Sequence, residues 1–294
     1  MSWSNTLADY VEQPTSFWPE DRPLQARKLE EAVQRHSSAL GLAAPRLVET
    51  VIEATQARAD AGTPTLFLIN CGSSGSHWLE AMLAAAIPGV RPCGEVYIPP
   101  VASERLAEQP AARSCFADGL HQLHMEQRAP AGPRDILINS AHSWGPHDMM
   151  PGSAVSVFLV RDPLDVVASR TFRKPKLRRH LSPSSSDVEY LDKNVAFVTK
   201  FYRSALRRKP RHIVRYEDLR TRPEQALGAL ASLLGRPAGQ DALAEVARTY
   251  SAEGQARSGA RLSNTYRGNA KAPEGLLAEA AEKLQGLRKD LDYR

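Results

Sequence analysis

The sequence predicts an α/β protein with a central parallel sheet flanked by helices and a helical extension at the N-terminus. Three observations carry this expectation. Buried-type apolar runs at Thr65–Asn70, Asp135–Asn139, Ala154–Val160 and His212–Tyr216 are separated by helix-period stretches, the alternation of strands and covering helices in a parallel sheet. The first run stops abruptly in small residues, Cys71-Gly72-Ser73-Ser74-Gly75-Ser76. The third runs into Arg161-Asp162-Pro163, with Asp at an N-cap and Pro at the first helical position.

In chain order, residues 1–61 read as mostly helical with an irregular start, where Trp3, Tyr10, Phe17 and Trp18 carry much of the aromatic content. Pro45 opens a helix that ends near Gly62. We therefore divide the chain into an extension, 1–61, packed on a main domain, 62–294.

The segment after Thr65–Asn70 is the most informative. Leu79, Met82, Leu83, Ala86 and Ile87 follow helical spacing, so the outline is strand, small-residue turn, helix N-terminus. First-turn N–H groups have no acceptor inside their helix, and the helix dipole adds partial positive charge there. Gly72 and Gly75 allow close backbone approach, and Ser73, Ser74 and Ser76 add hydroxyl donors, which makes a cradle for phosphate. A plain structural turn is the alternative. The turn has no Lys, so it is not the Gly-Lys-Ser/Thr loop of a nucleotide kinase.

Arg161 leaves the carboxyl end of a strand, where open α/β sheets place ligands. Ser169 follows two helical turns on, about 12 Å along the axis. The two could grip one anion from two sides, or Arg161 could simply pair with a carboxylate while Ser169 faces solvent. Residues Arg170–Ser186, basic and then rich in Ser and Pro, read as a mobile surface loop; a solvated face is the plain account and a lid the functional one.

Together these segments resemble the sulfotransferases that use 3′-phosphoadenosine 5′-phosphosulfate (PAPS). Gly72-Ser73-Ser74-Gly75-Ser76-His77-Trp78 is similar to that family's 5′-phosphosulfate loop, and Arg161 with Ser169 to its 3′-phosphate motif. Tyr216-Glu217-Asp218-Leu219 matches a further family segment, and Tyr266-Arg267-Gly268-Asn269 resembles the loop that closes over the nucleotide. The resemblance implies the P-loop-like sulfotransferase fold and a nucleotide site made of Gly72–Trp78, Arg161, Ser169, Tyr216, Arg267 and Gly268. The co-substrate would be PAPS and the product adenosine 3′,5′-bisphosphate (PAP). The chain departs from the family at Ser73, where a Lys or Arg is usual. Arg267 and Lys271, then Arg173 and Lys174, are the candidates to supply that charge.

Two residues are candidate general bases. In Ile136-Leu137-Ile138-Asn139-Ser140-Ala141-His142 a strand runs into a His, which is similar to the family strand whose final His takes the acceptor's proton, although Ser140 stands where that strand has Lys. Glu95, in Gly94-Glu95-Val96-Tyr97, resembles the base-bearing segment of carbohydrate-type members and is the alternative or helper. His121 and His124 stand three apart without a third ligand in view, so no metal is assigned, and His147 is a weaker substrate-pocket candidate.

At 294 residues with net charge +5, the chain suits a phosphate- or sulfate-bearing partner. Basic residues are not interleaved with aromatics and no recognition-helix pattern occurs, so nucleic acid is not expected. The three cysteines, Cys71, Cys93 and Cys115, fit neither a disulfide framework nor a metal spacing, which suits a reducing compartment. No signal peptide opens the sequence and no apolar run approaches the roughly 20 residues of a span, so a cytoplasmic location without membrane contact is expected. The expected activity is sulfuryl transfer from PAPS to a hydroxyl or amine of a small or medium acceptor. A non-catalytic PAP-binding protein is the alternative, and the oligomeric state is left open.

Overall fold

All four sequence-predicted strands form, and a fifth joins them. In the computed structural model, which describes residues 2–126, 130–150, 152–173, 178, 182–251, 253–254 and 273–293, the strands are β1 (Thr65–Ile69), β2 (Val90–Pro92), β3 (Ile136–Ala141), β4 (Ala154–Val160) and β5 (Ile213–Arg215). They form a parallel sheet in the order β2-β3-β1-β4-β5. β1 and β3 are buried at every position, which is why neither alternates apolar with exposed polar residues; Asn139 and Ser140 of β3 are themselves buried. Their register runs from Thr65 opposite Leu137 to Ile69 opposite Ala141, so both strands end together. β2 carries Arg91 and Pro92 in three residues and so gives no strand signal; as an edge strand it tolerates the proline.

The helices are α1 (Trp3–Glu12), α2 (Pro23–Leu40), α3 (Ala44–Asp60), α4 (Ser76–Ala86), α5 (Pro100–Arg105), α6 (Pro110–His124), α7 (Gly145–Asp148), α8 (Pro163–Phe172), α9 (Asp187–Arg207), α10 (Tyr216–Thr221), α11 (Pro223–Leu233), α12 (Gln240–Thr249) and α13 (Glu274–Asp290). None is long and apolar enough to cross a membrane. The chain divides into two compact units. One comprises Met1–Ile69, Glu80–Ser156 and Ala231–Ala238, the other Asn70–Leu79, Val157–Leu230 and Gly239–Arg294.

In the first unit, α1, α2 and α3 pack on α6, and Leu7, Tyr10, Phe17, Leu29, Leu47 and Val51 share a core with Phe116, Leu120 and Leu137. Tyr10, Phe17 and Trp18 are core residues with Trp3 partly buried against them, and Trp18 donates from Nε1 to Tyr10 Oη at 2.7 Å. Arg58, buried at 1 % exposure, meets Asp118 through Nε and Nη2 at 3.0–3.1 Å. Asp118 also accepts from Gln122 Nε2 at 3.0 Å, so the buried charge is paired and hydrogen-bonded.

In the second unit, α8 packs against α9 and α13. Asp162 caps α8, accepting from Leu164 N at 2.9 Å, and Pro163 takes the first helical position as the sequence predicts. A capping box of Ser186 and Glu189 starts α9. The expectation of a surface loop from Arg170 onward is corrected: α8 continues to Phe172, and Arg170 lies inside it. Thr171 faces the core and holds that last turn in place, which the basic composition of the stretch conceals.

Candidate active site

The turn after β1 is shaped by three positive φ angles, +77° at Gly72, +59° at Ser73 and +88° at Gly75. Asn70 Oδ1 accepts from Gly72 N at 2.9 Å and closes the first bend. Ser73 pays about 1 kcal/mol for a left-handed conformation that an ordinary side chain avoids. Gly75 is required for a different reason: a Cβ there would lie 2.6 Å from Tyr216 Cδ2. Tyr216, at the start of α10, thus sets the edge of its ring against the backbone of the turn. Trp78 meets the same ring edge-on at 5.7 Å and donates from Nε1 to Tyr250 O at 3.0 Å.

Arg161 reaches this cluster from the end of β4. Its guanidinium lies 4.5 Å from the centre of the Tyr216 ring, donates from Nη1 to Ser73 O at 3.0 Å, and pairs through Nη2 with Asp165 at 3.3 Å. The backbone that aims it is fixed on both sides. Arg161 N donates to Tyr202 Oη at 3.2 Å, and Tyr202 Oη donates to Arg161 O at 3.0 Å. Asp162 receives Arg288 through two hydrogen bonds at 3.0 and 3.1 Å, and its N–H donates to Glu217 at 3.1 Å. Burial and the Glu217 hydrogen bond push the Tyr293 phenol well above its ordinary pKa, so its hydroxyl stays a donor to Glu217 at 2.7 Å.

Two buried polar atoms at the turn, Ser73 Oγ and Arg161 Nε, make no hydrogen bond. A buried donor left unmatched costs about 1–3 kcal/mol. Oxyanions accepting from these donors remove that cost. The residues fit a phosphate- or sulfate-bearing ligand. Ser169 lies half-buried on α8 in this unit, while Arg267, Gly268, Lys271 and Lys174 lie outside the described residues.

The second candidate group lies in the other unit. After β2 the chain continues along β3: Cys93 N donates to Ile138 O at 2.8 Å and Ser140 N to Gly94 O at 2.9 Å. Asn139 then clamps Val96, donating from Nδ2 to its carbonyl at 3.2 Å and accepting its N–H at Oδ1 at 3.4 Å. This lay-out brings Glu95 to His142, with Oε1 2.8 Å from Nε2. Tyr97 Oη donates to the other carboxylate oxygen at 3.4 Å. Burial, then the Glu95 charge, pushes the Tyr97 phenol up to about 12, so it stays a donor. The sequence treats His142 and Glu95 as alternatives; the fold makes them a hydrogen-bonded pair. Both remain partly exposed, 23 % and 28 % at the side chain, within reach of a reactant.

His121 serves a different purpose from the metal spacing its neighbour suggests. It is fully buried and its Nε2 sits 2.6 Å from Asn139 Nδ2, so it accepts there as a neutral ring. Among the described residues no group of three potential ligands is placed to hold a metal ion. His147, on α7, pairs with Asp148 at 3.1 Å. Desolvation pulls the His121 pKa down to about 4. Because the unfolded chain takes up this proton near pH 6.5 and the folded chain does not, stability falls as pH drops from 6.5 to 4. The expected loss is about 3 kcal/mol for this one group. Urea unfolding across that range measures it, and His121→Gln should flatten the dependence; an unchanged acid slope in the variant would place the sensitivity elsewhere.

A parallel sheet with a small-residue turn after one strand and an arginine at the end of another defines an α/β fold of the P-loop-like kind. The sulfotransferase domain family matches residues 63–268, and the chain belongs to that family. No curated protein matches the sequence. Among solved structures, a sulfotransferase from Mycobacterium avium aligns with TM-score 0.54 at 11 % identity, over 99 % of this chain and 97 % of that one. A mouse sulfotransferase solved with PAP aligns at TM-score 0.47 and 16 % identity, over 78 % of this chain and 88 % of that one. A retinol dehydratase solved with androsterone and inactive cofactor PAP gives 0.48 and 15 %, over 78 % and 82 %. At 11 % identity the likeness to the Mycobacterium avium structure speaks for the fold alone.

Proposed function

We propose that this sulfotransferase takes its sulfuryl group from PAPS and passes it to a hydroxyl or amine of a small or medium acceptor, releasing PAP. The observation that carries the reading is the pair of unmatched buried donors, Ser73 Oγ and Arg161 Nε, on a turn whose backbone geometry suits an oxyanion. The acceptor oxygen or nitrogen attacks sulfur, the bond from sulfur to the phosphate oxygen breaks, and PAP leaves with that electron pair. The acceptor's proton passes to His142. With Nε2–H donated to Glu95, the ring receives it at Nδ1, and the carboxylate stabilises the imidazolium that forms.

Arg161 and Ser169 are assigned to the 3′-phosphate, Gly72–Trp78 to the 5′-phosphosulfate, and Tyr216 and Trp78 to flat packing at the nucleotide. Arg267 and Gly268 are assigned to closure over it. Cys71, Cys93 and Cys115 are free thiols, which suits a reducing, cytoplasmic setting. Incubation with PAPS and a panel of phenols, alcohols, amines and sugars, read by mass spectrometry for a sulfated product and PAP, tests the reading. Sulfation of at least one acceptor is expected. Tight PAP binding with no product from any acceptor class would leave a nucleotide-binding protein that has lost transfer.

A further inference from the structure

The turn Cys71–Ser76 carries no cationic side chain, yet a doubly ionised donor needs positive charge beyond what amides and hydroxyls provide. We propose that Arg170 supplies it, acting as a positioning residue that holds the turn from its carbonyl side and lends it a fixed positive charge. This rests on the donor-site reading above. Arg170 Nη1 donates to Cys71 O at 3.0 Å, and Nε donates to Asn194 Oδ1 at 3.1 Å. The guanidinium lies 4.3 Å from the centre of the Phe197 ring. Its partners are thus a backbone carbonyl, a neutral amide and a ring face, and among the described residues none is a carboxylate.

That distinguishes it from its neighbours. Arg161 is paired with Asp165, Arg288 with Asp162 and Arg178 with Asp187. A desolvated charge normally has an opposite charge beside it, because burial of an isolated one is costly. Desolvation lowers the Arg170 pKa from its ordinary value, yet a guanidinium keeps its proton at neutral pH. Asn194 is itself fixed, donating from Nδ2 to Thr171 Oγ1 at 3.2 Å and to Tyr190 O at 2.9 Å, so the guanidinium is aimed rather than adrift. The compensating anion is the ligand. Bonding to the Cys71 carbonyl fixes the charge against the backbone of the turn, where it adds to the field at an anion held there.

The test is calorimetric titration of PAP at low and high salt. Arg170→Gln should weaken binding about tenfold or more at low salt, with the gap closing as salt screens the lost charge. Arg170→Lys, which keeps the charge, should stay within about threefold of wild type and keep its salt dependence. A purely structural role predicts equal losses for Gln and Lys with a gap that salt does not change, and that result overturns the assignment. Equal affinity of wild type and Arg170→Gln overturns it as well. Should Arg170→Gln fail to fold, Arg170→Lys decides: loss of its affinity or its salt dependence refutes the charge role. Wild-type protein that fails to bind PAP at all would instead refute the donor-site reading.

Discussion

His142→Ala should lower kcat by about 10²–10⁴-fold, the range that a well-placed general base contributes, while PAP affinity stays within about twofold of wild type. The split follows from the roles assigned. The imidazole acts on the acceptor's proton, and the turn that holds the nucleotide is built from other residues. Glu95→Gln is the paired measurement. It keeps the shape of the hydrogen bond to Nε2 but removes the charge that stabilises the imidazolium. Its turnover should fall less than that of His142→Ala, and the pH-rate profile should shift because the ring loses its carboxylate partner. Should His142→Ala retain a near-wild-type rate while Glu95→Gln does not, the base is Glu95 and the imidazole its helper.

Arg161→Ala carries the second large effect. Loss of a charge-assisted contact to a buried phosphate costs about 1.5–3 kcal/mol, or about 10- to 150-fold in PAP affinity. Wild type should prefer PAP strongly over adenosine 5′-phosphate, and the variant should lose most of that preference. Equal wild-type affinity for the two nucleotides would exclude the 3′-phosphate assignment. The bond from Nη1 to Ser73 O creates a second possibility that the same titrations resolve. If Arg161 acts mainly by holding the turn, both nucleotides weaken in parallel; if it grips the 3′-phosphate, only PAP does.

Much of this molecule is legible along the chain because its signals are local. Runs such as Leu66–Ile69, Ile136–Ile138 and Val157–Val160 mark β1, β3 and β4, since strand segments buried on both faces need no alternation. The Asp162-Pro163 start of α8 and the small residues between β1 and α4 depend only on backbone preference near each residue. Those features place Arg161 and the turn from the sequence alone. β2 is too short and too polar to announce itself, and only its hydrogen bonds to β3 make it a strand. Three further features needed the tertiary structure. Tyr216 requires Gly75 because a ring from a distant segment packs on the turn. His142 and Glu95 become a pair because the register of β2 beside β3 carries the following residues past Asn139 to the histidine. Arg170 reads in the sequence as the first residue of a basic surface loop, whereas the packing of α8 on α9 turns it inward to Asn194 and Cys71. Periodicity and capping report what a residue's neighbours in sequence permit; which side chains meet depends on strand register and helix packing, which are set by the whole core at once.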